Sequence, residues 1–255
     1  MATSISAQDP FKYTTIAHSG HHYCSPLSSN KAVGLLAALQ LQADALVLDA
    51  GCGKAALLRD LLASQPVRGV GVDINPAFLA EAAHAWAASH PGDGRLTLIA
   101  HQLEQHPLPP KGYDAILCVG STHALGGFER SLTTCRQWLK RGGVLLIGEG
   151  YWKQQPSEEY LATLGATEDE LTSHAENIKR ALAHGFKLRI ATESSDDEWD
   201  QYENMYCQAV MEYSASHPDD PDTLAFRERA RRWHDSYLAS GRSTLGFGFY
   251  LLEKS

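Results

Sequence analysis

The sequence predicts an α/β protein with a doubly wound, seven-stranded, mostly parallel sheet, an antiparallel C-terminal strand and helices on both faces. Three observations predict this fold class. Short apolar segments alternate with helix-length segments from residue 29 to residue 149, a pattern typical of βαβ units. A glycine-rich turn, Gly51-Cys-Gly53, joins the first apolar segment to a helix. Residues 243–252 are rich in β-forming side chains and follow two predicted helices.

The first half of the chain contains the parallel strands and the helices between them. A helix over residues 29–41 is capped by Ser28 or Ser29. Further helices run from the glycine turn to about residue 63, over residues 76–89, which Pro76 opens, and over residues 128–140. The strands are short apolar segments at residues 45–49, 67–73, 96–100, 113–119 and 143–149.

The second half departs from this alternation. Residues 151–185 form a helical insertion that is longer than an ordinary connection, so we expect a lid there. A sixth strand covers residues 186–192, and the capping box from Ser195 to Glu198 opens a long helix. Pro218-Asp-Asp-Pro221 ends that helix, and another follows over residues 222–239. We expect a single domain over residues 1–255, with residues 1–28 as an N-terminal cap segment.

Composition narrows the function classes. Hydrophobic residues make up 44% of the 255 residues, enough for a sizeable core. The net charge of −8 and the lack of a basic face argue against a nucleic-acid partner, and no apolar segment approaches the ~18 residues of a membrane span. The five cysteines are scattered, and no apolar signal segment precedes them, which predicts a cytoplasmic protein. We expect a monomer or homodimer whose partner is a small-molecule substrate.

The motif Asp49-Ala-Gly51-Cys-Gly53 ends the first predicted strand and leads into a helix. Glycines let the backbone approach a ligand without a clash at Cβ, and the helix N-terminus offers free N–H groups. Asp73 ends the next strand, where an acid accepts hydrogen bonds from ribose hydroxyls. The pattern predicts a nucleoside-containing cofactor in the crevice beside the first strand.

Two classes of cofactor fit this spacing. Gly51-Cys-Gly53-Lys-Ala-Ala56 satisfies the dinucleotide pattern, which keeps an NAD(P)-dependent oxidoreductase open. Asp49, however, would repel a pyrophosphate, whereas it would attract a sulfonium ligand with a free amino group. The motif also lies behind a helix, and the chain ends in a β-rich segment rather than a second mononucleotide-binding half. These features favour a sulfonium cofactor.

The sequence resembles the class I S-adenosylmethionine-dependent methyltransferases in three features. These are the acidic residue and glycines after the first strand, the acid after the second strand, and the β-rich C-terminus. The resemblance is strong over residues 30–150 and extends in outline over residues 186–255. It implies that the glycine loop holds the methionine portion, that Asp73 holds the ribose and that Ile74 packs on adenine. Gln102 stands where the family often has an adenine-contacting acid, and Ala55 replaces the third glycine. The expected cofactor-binding residues are Asp49, Gly51, Cys52, Gly53, Asp73, Ile74, Gln102, Leu103, Cys118 and Gly120.

Two further stretches resemble a subgroup of bacterial small-molecule methyltransferases. Cys118-Val-Gly120-Ser-Thr-His123 follows the fourth strand, and Glu149-Gly-Tyr151-Trp152 follows the fifth. Both fall where the carboxyl ends of strands line the crevice, so we expect their polar side chains to face the acceptor. The expected catalytic residues are His123 and Glu149, and the expected acceptor-binding residues are Ser121, Thr122, Tyr151 and Trp152.

The cluster His18-Ser-Gly-His21-His22-Tyr23-Cys24 lies before the first predicted helix. Its spacing could suit a metal, but no second cluster completes a tetrahedral site, so we expect no metal. In many class I methyltransferases this segment folds over the active site. The resemblance therefore implies catalytic roles for His18 and His22 and an acceptor contact for Tyr23.

One aromatic face of the long helix is assigned to packing rather than to the site. Its spacing places one side of the helix against the sheet or the lid, which favours core packing over a substrate cage. The residues of this face are Trp199, Tyr202, Tyr206, Val210 and Tyr213.

The function that these features favour is methyl transfer from S-adenosylmethionine to an N, O or S atom of a small molecule by in-line displacement. An acceptor that carries a proton needs a base, for which His123, His18 and His22 are the candidates. Two alternatives stay open at this point: an NAD(P)-dependent oxidoreductase, and a protein that binds the cofactor without catalysis.

Overall fold

The computed structural model describes residues 9–255. Residues 1–8, the start of the predicted cap segment, lie outside the described residues. The strands are β1 (Leu46–Ala50), β2 (Arg68–Asp73), β3 (Leu96–Ala100), β4 (Tyr113–Val119), β5 (Leu139–Trp152), β6 (Phe186–Glu193) and β7 (Leu245–Lys254). The principal helices are α1 (Lys12–Ala17), α2 (Ser29–Ala38), α3 (Ala56–Ser64), α4 (Pro76–Ser89), α5 (Phe128–Trp138), α6 (Glu158–Leu164), α7 (His174–Ala183), α8 (Asp196–Ser216) and α9 (Thr223–Ser236).

The strands form one sheet in the order β3-β2-β1-β4-β5-β7-β6. β1 to β5 are parallel to one another, and β7 lies between β5 and β6 and is antiparallel to both. The predicted sheet is confirmed. β1 is flanked by β2 on one side and β4 on the other, so the direction of winding reverses there. A reversal of this kind opens a crevice at the carboxyl ends of the strands.

Both faces of the sheet are covered at its centre, which explains why β1 and β4 are mostly apolar. Along β1, Val47 packs in the core on the side of α2 and α3, whereas Leu48 packs in the core on the side of α5 and α7. All residues of β1 after Leu46 are buried. Alternation between polar and apolar residues is lost when helices bury both faces.

The helix α1, which the sequence did not predict, fixes the cap segment to the end of α8. Ile16 packs in a cluster with Val210 and Phe226. The buried ammonium of Lys12 pairs with Asp220 at 2.8 Å and with Asp222 at 2.9 Å, in the turn between α8 and α9. Contacts to α8 and α9 therefore determine where residues 11–27 lie.

The insertion over residues 151–185 is helical as expected, but it does not line the cavity described below. β5 continues past the predicted end at Glu149, because its pairing with β7 extends to Trp152 opposite Leu245. The Trp152 backbone N–H donates to Thr172, and its indole N–H donates to the Glu168 carbonyl at 2.8 Å. These bonds hold the insertion against the far end of β5. The expected lid is corrected accordingly: the cap segment, not this insertion, covers the cavity.

Within residues 9–255, no helix combines the length and the apolar composition that crossing a membrane requires.

Candidate active site

A cavity of about 500 Å³ lies between the carboxyl ends of β1, β2 and β4 and the cap segment. This volume lies in the range of small-molecule sites, ~300–1,000 Å³. The expected site residues that line it are Asp49, Gly51, Cys52, Gly53, Asp73, Ile74, Leu103, Gly120, Ser121, His123, His18, His22 and Tyr23. The expected site residues that do not line it are Gln102, Cys118, Thr122, Glu149, Tyr151 and Trp152.

The glycine loop has the backbone shape that the sequence predicts. Gly51 and Gly53 have φ values of +72° and +51°, in the left-handed region that favours glycine. The N–H groups of Gly51 and Cys52 both donate to the carbonyl oxygen of Val72 in β2. A Cβ on Gly51 would lie 2.8 Å from Oγ of Ser121 and closer still to its Cβ. The loop therefore packs directly against the segment that follows β4.

Ala55, where the family loop has its third glycine, also adopts a left-handed conformation, with φ +49°. A residue with a Cβ is strained there by about 1–2 kcal/mol. Its methyl group is fully buried at the start of α3. The departure from the family pattern thus changes the residue but keeps the backbone shape that a glycine would take.

Two carboxylates border the loop. Asp73 accepts hydrogen bonds of 2.8 Å from the backbone N–H groups of Gly53 and Asn75, one on each oxygen. Each oxygen keeps a second lone pair with which it can accept from a ligand hydroxyl. Asp49 is 5% exposed, and burial, together with the nearby Asp73, raises its pKa to about 8. At neutral pH, Asp49 is therefore mostly protonated, and a cation beside it would favour the ionised carboxylate.

Lys54 ties the glycine loop to the cap segment. Its ammonium donates to the carbonyl oxygens of Ser19 and His21 at 3.1 and 3.2 Å, and pairs with Glu81 of α4 at 3.0 Å. The side chain is 2% exposed, whereas Glu81 lies at the surface. Asn75, which caps α4, adds a second tie, because its amide donates to Thr15 of α1 at 3.0 Å.

The three histidines of the cap segment face different partners. Nδ1 of His18 lies 2.9 Å from the Thr14 carbonyl oxygen, and its Nε2 lies 3.0 Å from the Tyr202 hydroxyl. Nε2 of His21 lies 2.9 Å from the Tyr202 carbonyl oxygen. His22 contacts Asp60 at 3.1 Å, and Asp60 also accepts from the Tyr23 hydroxyl at 2.6 Å. In the described part of the chain, no group of three or more His, Cys, Asp or Glu could hold a metal ion.

The segment after β4 brings Gly120, Ser121 and His123 to the cavity wall. Ser121 is buried and donates to the Ala50 carbonyl oxygen at 2.5 Å, whereas His123 is exposed. Cys118 is fully buried behind this wall, with its thiol 3.5 Å from Oγ of Ser121. Cys118 thus supports the wall from the core.

Glu149 and Thr122 pair with each other behind the cavity wall. The Thr122 hydroxyl donates to one Glu149 oxygen, and the Gly150 N–H donates to the other at 2.9 Å. Burial raises the pKa of Glu149, and these two hydrogen bonds oppose that rise. Neither side chain lines the cavity, but Thr122 lies in the chain between Ser121 and His123, which both do.

Tyr151 and Trp152 lie beyond this point on the extension of β5. The Tyr151 hydroxyl donates to Glu193 of β6, and its ring lies 5.2 Å from that of His174 in α7. Both residues were expected at the acceptor pocket, but neither lines this cavity, because continued pairing with β7 carries them to the insertion.

Gln102 is exposed, and its side-chain oxygen accepts from Gln105 at 2.9 Å. Its neighbours His101 and Leu103 line the cavity instead. Ile74, which also lines the cavity, is 53% exposed, an unusual position for a large apolar side chain unless a ligand covers it.

Several lining residues were not predicted as site residues from the sequence. Tyr202 was assigned to core packing, yet it lines the cavity and bonds to His18. Its spacing on the helix face placed it correctly on the buried side of α8, but only the position of α1 shows that a cavity borders it. The other unpredicted lining residues include Phe11, Thr14, Asn75 and Phe78.

Residues 48–145 match a family model described as a methyltransferase domain. A S-adenosylmethionine-dependent methyltransferase from Geobacter sulfurreducens, solved in complex with S-adenosyl-L-homocysteine, is 26% identical, with a TM-score of 0.89 over 96% of this chain and 98% of that chain. A S-adenosylmethionine-dependent methyltransferase from Thiobacillus denitrificans, solved with the same ligand, is 25% identical, with a TM-score of 0.87 over 95% of this chain and 98% of that chain.

The Escherichia coli protein YjhP is 26% identical over 242 residues, which is 93% of this chain and 96% of that protein. Together with the sheet order and the glycine loop, these likenesses show that the chain has the fold of the class I S-adenosylmethionine-dependent methyltransferases.

Proposed function

We propose that the chain transfers the methyl group of S-adenosylmethionine to a small-molecule acceptor inside this cavity. One observation carries the proposal: a single cavity contains the glycine loop, Asp49 and Asp73 on one wall and His18, His22 and Tyr23 of the cap segment on the other. The first wall suits a cationic nucleoside cofactor. The second closes the opposite side of the same cavity.

The cofactor side of the proposal follows from the donors and acceptors present. Asp73 would accept from the ribose hydroxyls, and Ile74 would cover one face of the adenine. Asp49 would ionise beside the amino group and the sulfonium. The two relatives solved with S-adenosyl-L-homocysteine support this assignment. An oxidoreductase is not supported, because β7 is antiparallel and the second mononucleotide-binding half of a dinucleotide fold is missing from the sheet.

When bound, the cofactor supplies a sulfonium whose methyl carbon is open to in-line attack. The protein's part is to hold the acceptor against that carbon and to exclude water. His123 and Ser121 border the cavity after β4, and Tyr23 and His18 border it from the cap segment. The ties from Lys54 and Asn75 fix the cap segment over the glycine loop, which keeps the two walls at a constant separation.

The cellular context is also part of the proposal. The five cysteines are all free, which is typical of a reducing compartment, and we place the protein in the cytoplasm as a monomer or homodimer. The net charge of −8 supports a small molecule over a nucleic acid as the acceptor.

The test uses S-adenosylmethionine with a radioactive methyl group, incubated with the protein and a cell extract divided by size. We expect label to appear in the low-mass fraction. Asp73→Asn should lower this incorporation by about 10-fold or more, because one ribose acceptor is lost. Asp114→Asn is the control, since Asp114 pairs with Lys140 at the opposite end of β4. Label that appears only in protein or nucleic acid would contradict the proposal.

A further inference from the structure

Two side chains from distant parts of the chain meet at the acceptor wall of the cavity. His18 follows α1, and Tyr202 lies in the first half of α8. Both line the cavity, and Nε2 of His18 lies 3.0 Å from the hydroxyl oxygen of Tyr202. The pair therefore borders the cavity in which the proposed function places the acceptor.

The contact with Thr14 fixes the direction of this hydrogen bond. Nδ1 of His18 lies 2.9 Å from the Thr14 carbonyl oxygen, and a carbonyl oxygen can only accept. Nδ1 therefore carries the ring proton, and Nε2 is the acceptor for the Tyr202 hydroxyl. With its proton directed at His18, the Tyr202 oxygen keeps lone pairs that can accept a proton from a molecule in the cavity.

The surroundings keep the pair uncharged at rest. Burial is the main reason why the pKa of His18 is lowered to about 4; the hydrogen bond to Thr14 opposes this shift, and the nearby His21 and Lys54 contribute to it. Burial raises the pKa of Tyr202. The other ring that packs on His18 from α8 is Tyr206, with ring centres 5.5 Å apart. A neutral imidazole whose Nε2 already accepts from the Tyr202 hydroxyl is in the form that can take that proton.

The acceptor wall also indicates what kind of acceptor fits. Asp49 and Asp73, the carboxylates that line the cavity, both lie on the glycine-loop wall. Phe11, His18 and Tyr202 line the cavity from the cap segment and α8, and Phe78 of α4 packs edge-on against the His18 ring at 6.3 Å. A flat ring with a hydroxyl would pack against these aromatic side chains and could form a hydrogen bond at its edge with the Tyr202 oxygen.

We propose that Tyr202 and His18 form a proton relay for a phenolic acceptor, an inference that rests on the proposed function. The phenol oxygen forms its bond to the methyl carbon as the carbon–sulfur bond breaks, and sulfur keeps that electron pair. The phenol proton passes to the Tyr202 oxygen while the Tyr202 proton passes to Nε2 of His18. One positive charge moves from sulfur to the imidazole, so the cavity gains no net charge. The imidazolium returns its proton to water after the methyl ether leaves.

The experiment measures methyl transfer to a series of substituted phenols whose pKa values span the assay pH. For phenols that are un-ionised at that pH, Tyr202→Phe and His18→Gln should each lower kcat/KM by about 100- to 10,000-fold. For phenols that are already ionised, the loss should be small, because no proton needs to be taken. Tyr206→Phe is the matched control: Tyr206 packs on His18 from the same helix, makes no hydrogen bond to it and does not line the cavity.

Equal losses of kcat/KM for ionised and un-ionised phenols would overturn the relay. Undiminished activity of Tyr202→Phe toward un-ionised phenols would overturn it as well. If the wild-type chain binds S-adenosyl-L-homocysteine and methylates thiols or amines but no phenol, the acceptor class is wrong while the proposed function stands. If the wild-type chain does not bind S-adenosyl-L-homocysteine, the proposed function itself fails.

Discussion

The ammonium of Lys54, in the glycine loop, donates a hydrogen bond of 3.2 Å to the carbonyl oxygen of His21 in the cap segment. The same ammonium reaches Ser19, so one buried charge joins the loop that should hold the cofactor to the segment that should enclose the acceptor. A cation suits this place because backbone carbonyl oxygens are its partners on one side and Glu81 is its partner on the other.

Lys54→Met should loosen the cap segment without unfolding the sheet. The loss of two charge-assisted hydrogen bonds should cost about 2–4 kcal/mol of local stability. Hydrogen exchange at residues 12–25 should become faster, and S-adenosyl-L-homocysteine should dissociate faster. Lys179→Met is the control, since Lys179 is 74% exposed and pairs only with Glu176 on the same helix. Unchanged exchange in the cap segment would show that α1 and Asn75 suffice to hold it.

Asp49 should reduce the stability of the cofactor-free chain at high pH. Its pKa is raised to about 8, so the folded chain keeps a proton there that the unfolded chain has already released. The free energy of unfolding should therefore fall as pH rises from about 4 to about 8. At pH 8, urea unfolding should give Asp49→Asn a free energy of unfolding higher than that of the wild type by on the order of 2 kcal/mol. This difference should vanish near pH 4.

The same substitution should weaken binding of S-adenosylmethionine, because the buried counter-charge is gone. Asp114→Asn is the control, since Asp114 pairs with Lys140 at the opposite end of β4. It should neither give this pH-dependent gain in stability nor weaken binding of S-adenosylmethionine. A stability gain for Asp49→Asn that is equal at pH 4 and pH 8 would contradict the raised pKa.

Gly51 and Gly142 form a matched pair, because both have φ +72°. A Cβ on Gly142 would meet no atom within 4 Å, whereas a Cβ on Gly51 would run into Ser121. Gly142→Ala should cost only the left-handed strain, about 1–2 kcal/mol. Gly51→Ala should in addition displace Ser121 and lower the affinity for S-adenosyl-L-homocysteine by at least about 10-fold. Equal effects of the two substitutions in calorimetry would show that the contact with Ser121 is unimportant.

Ala55 should be replaceable by glycine but not by a β-branched residue. Ala55→Gly relieves left-handed strain but loses a buried methyl group and adds freedom to the unfolded chain, so stability should change by less than about 1 kcal/mol. Ala55→Val should destabilise the start of α3 and reduce cofactor binding, because a branched Cβ is poorly tolerated at φ +49°. Thermal unfolding with and without S-adenosyl-L-homocysteine measures both effects. A stable, binding-competent Ala55→Val would contradict the assigned backbone strain.

Glu149 and Thr122 should affect turnover through the hydrogen bond that joins them. Glu149→Gln and Thr122→Val should each leave affinity for S-adenosyl-L-homocysteine unchanged and lower turnover by roughly 10-fold, because the wall formed by Ser121 and His123 loses its support. The double variant should be no worse than either single variant. Losses that multiply in the double variant would mean that Glu149 touches the acceptor independently of Thr122.

The sequence predicts the backbone of the glycine-loop side of the cavity well, because its parts are local. The turn at Gly51 and Gly53 needs left-handed backbone, and Asp73 ends the neighbouring strand, so both positions follow from strand boundaries alone. The sheet itself follows from the same alternation of apolar strands and helices.

The side of the cavity formed by the cap segment and α8 was predicted only in part, because tertiary packing decides it. His18 and Tyr202 are 184 residues apart, and their contact depends on how α1 lies against α8. Tyr151 and Trp152 were expected at the cavity because the fifth strand was predicted to end at Glu149, at the edge where strand ends line the crevice. The strand continues there through pairing with β7, which a hydrophobic pattern does not reveal.

The measurement that tests the central claim most directly is a calorimetric titration with S-adenosyl-L-homocysteine, with NADH titrated in parallel. We predict micromolar binding of S-adenosyl-L-homocysteine, weakened in Asp73→Asn and unchanged in Asp114→Asn, and no binding of NADH. Binding of NADH alone would mean that the loop from Gly51 to Ala56 serves a dinucleotide. Binding of neither ligand would contradict a working cofactor site at the carboxyl ends of β1 and β2.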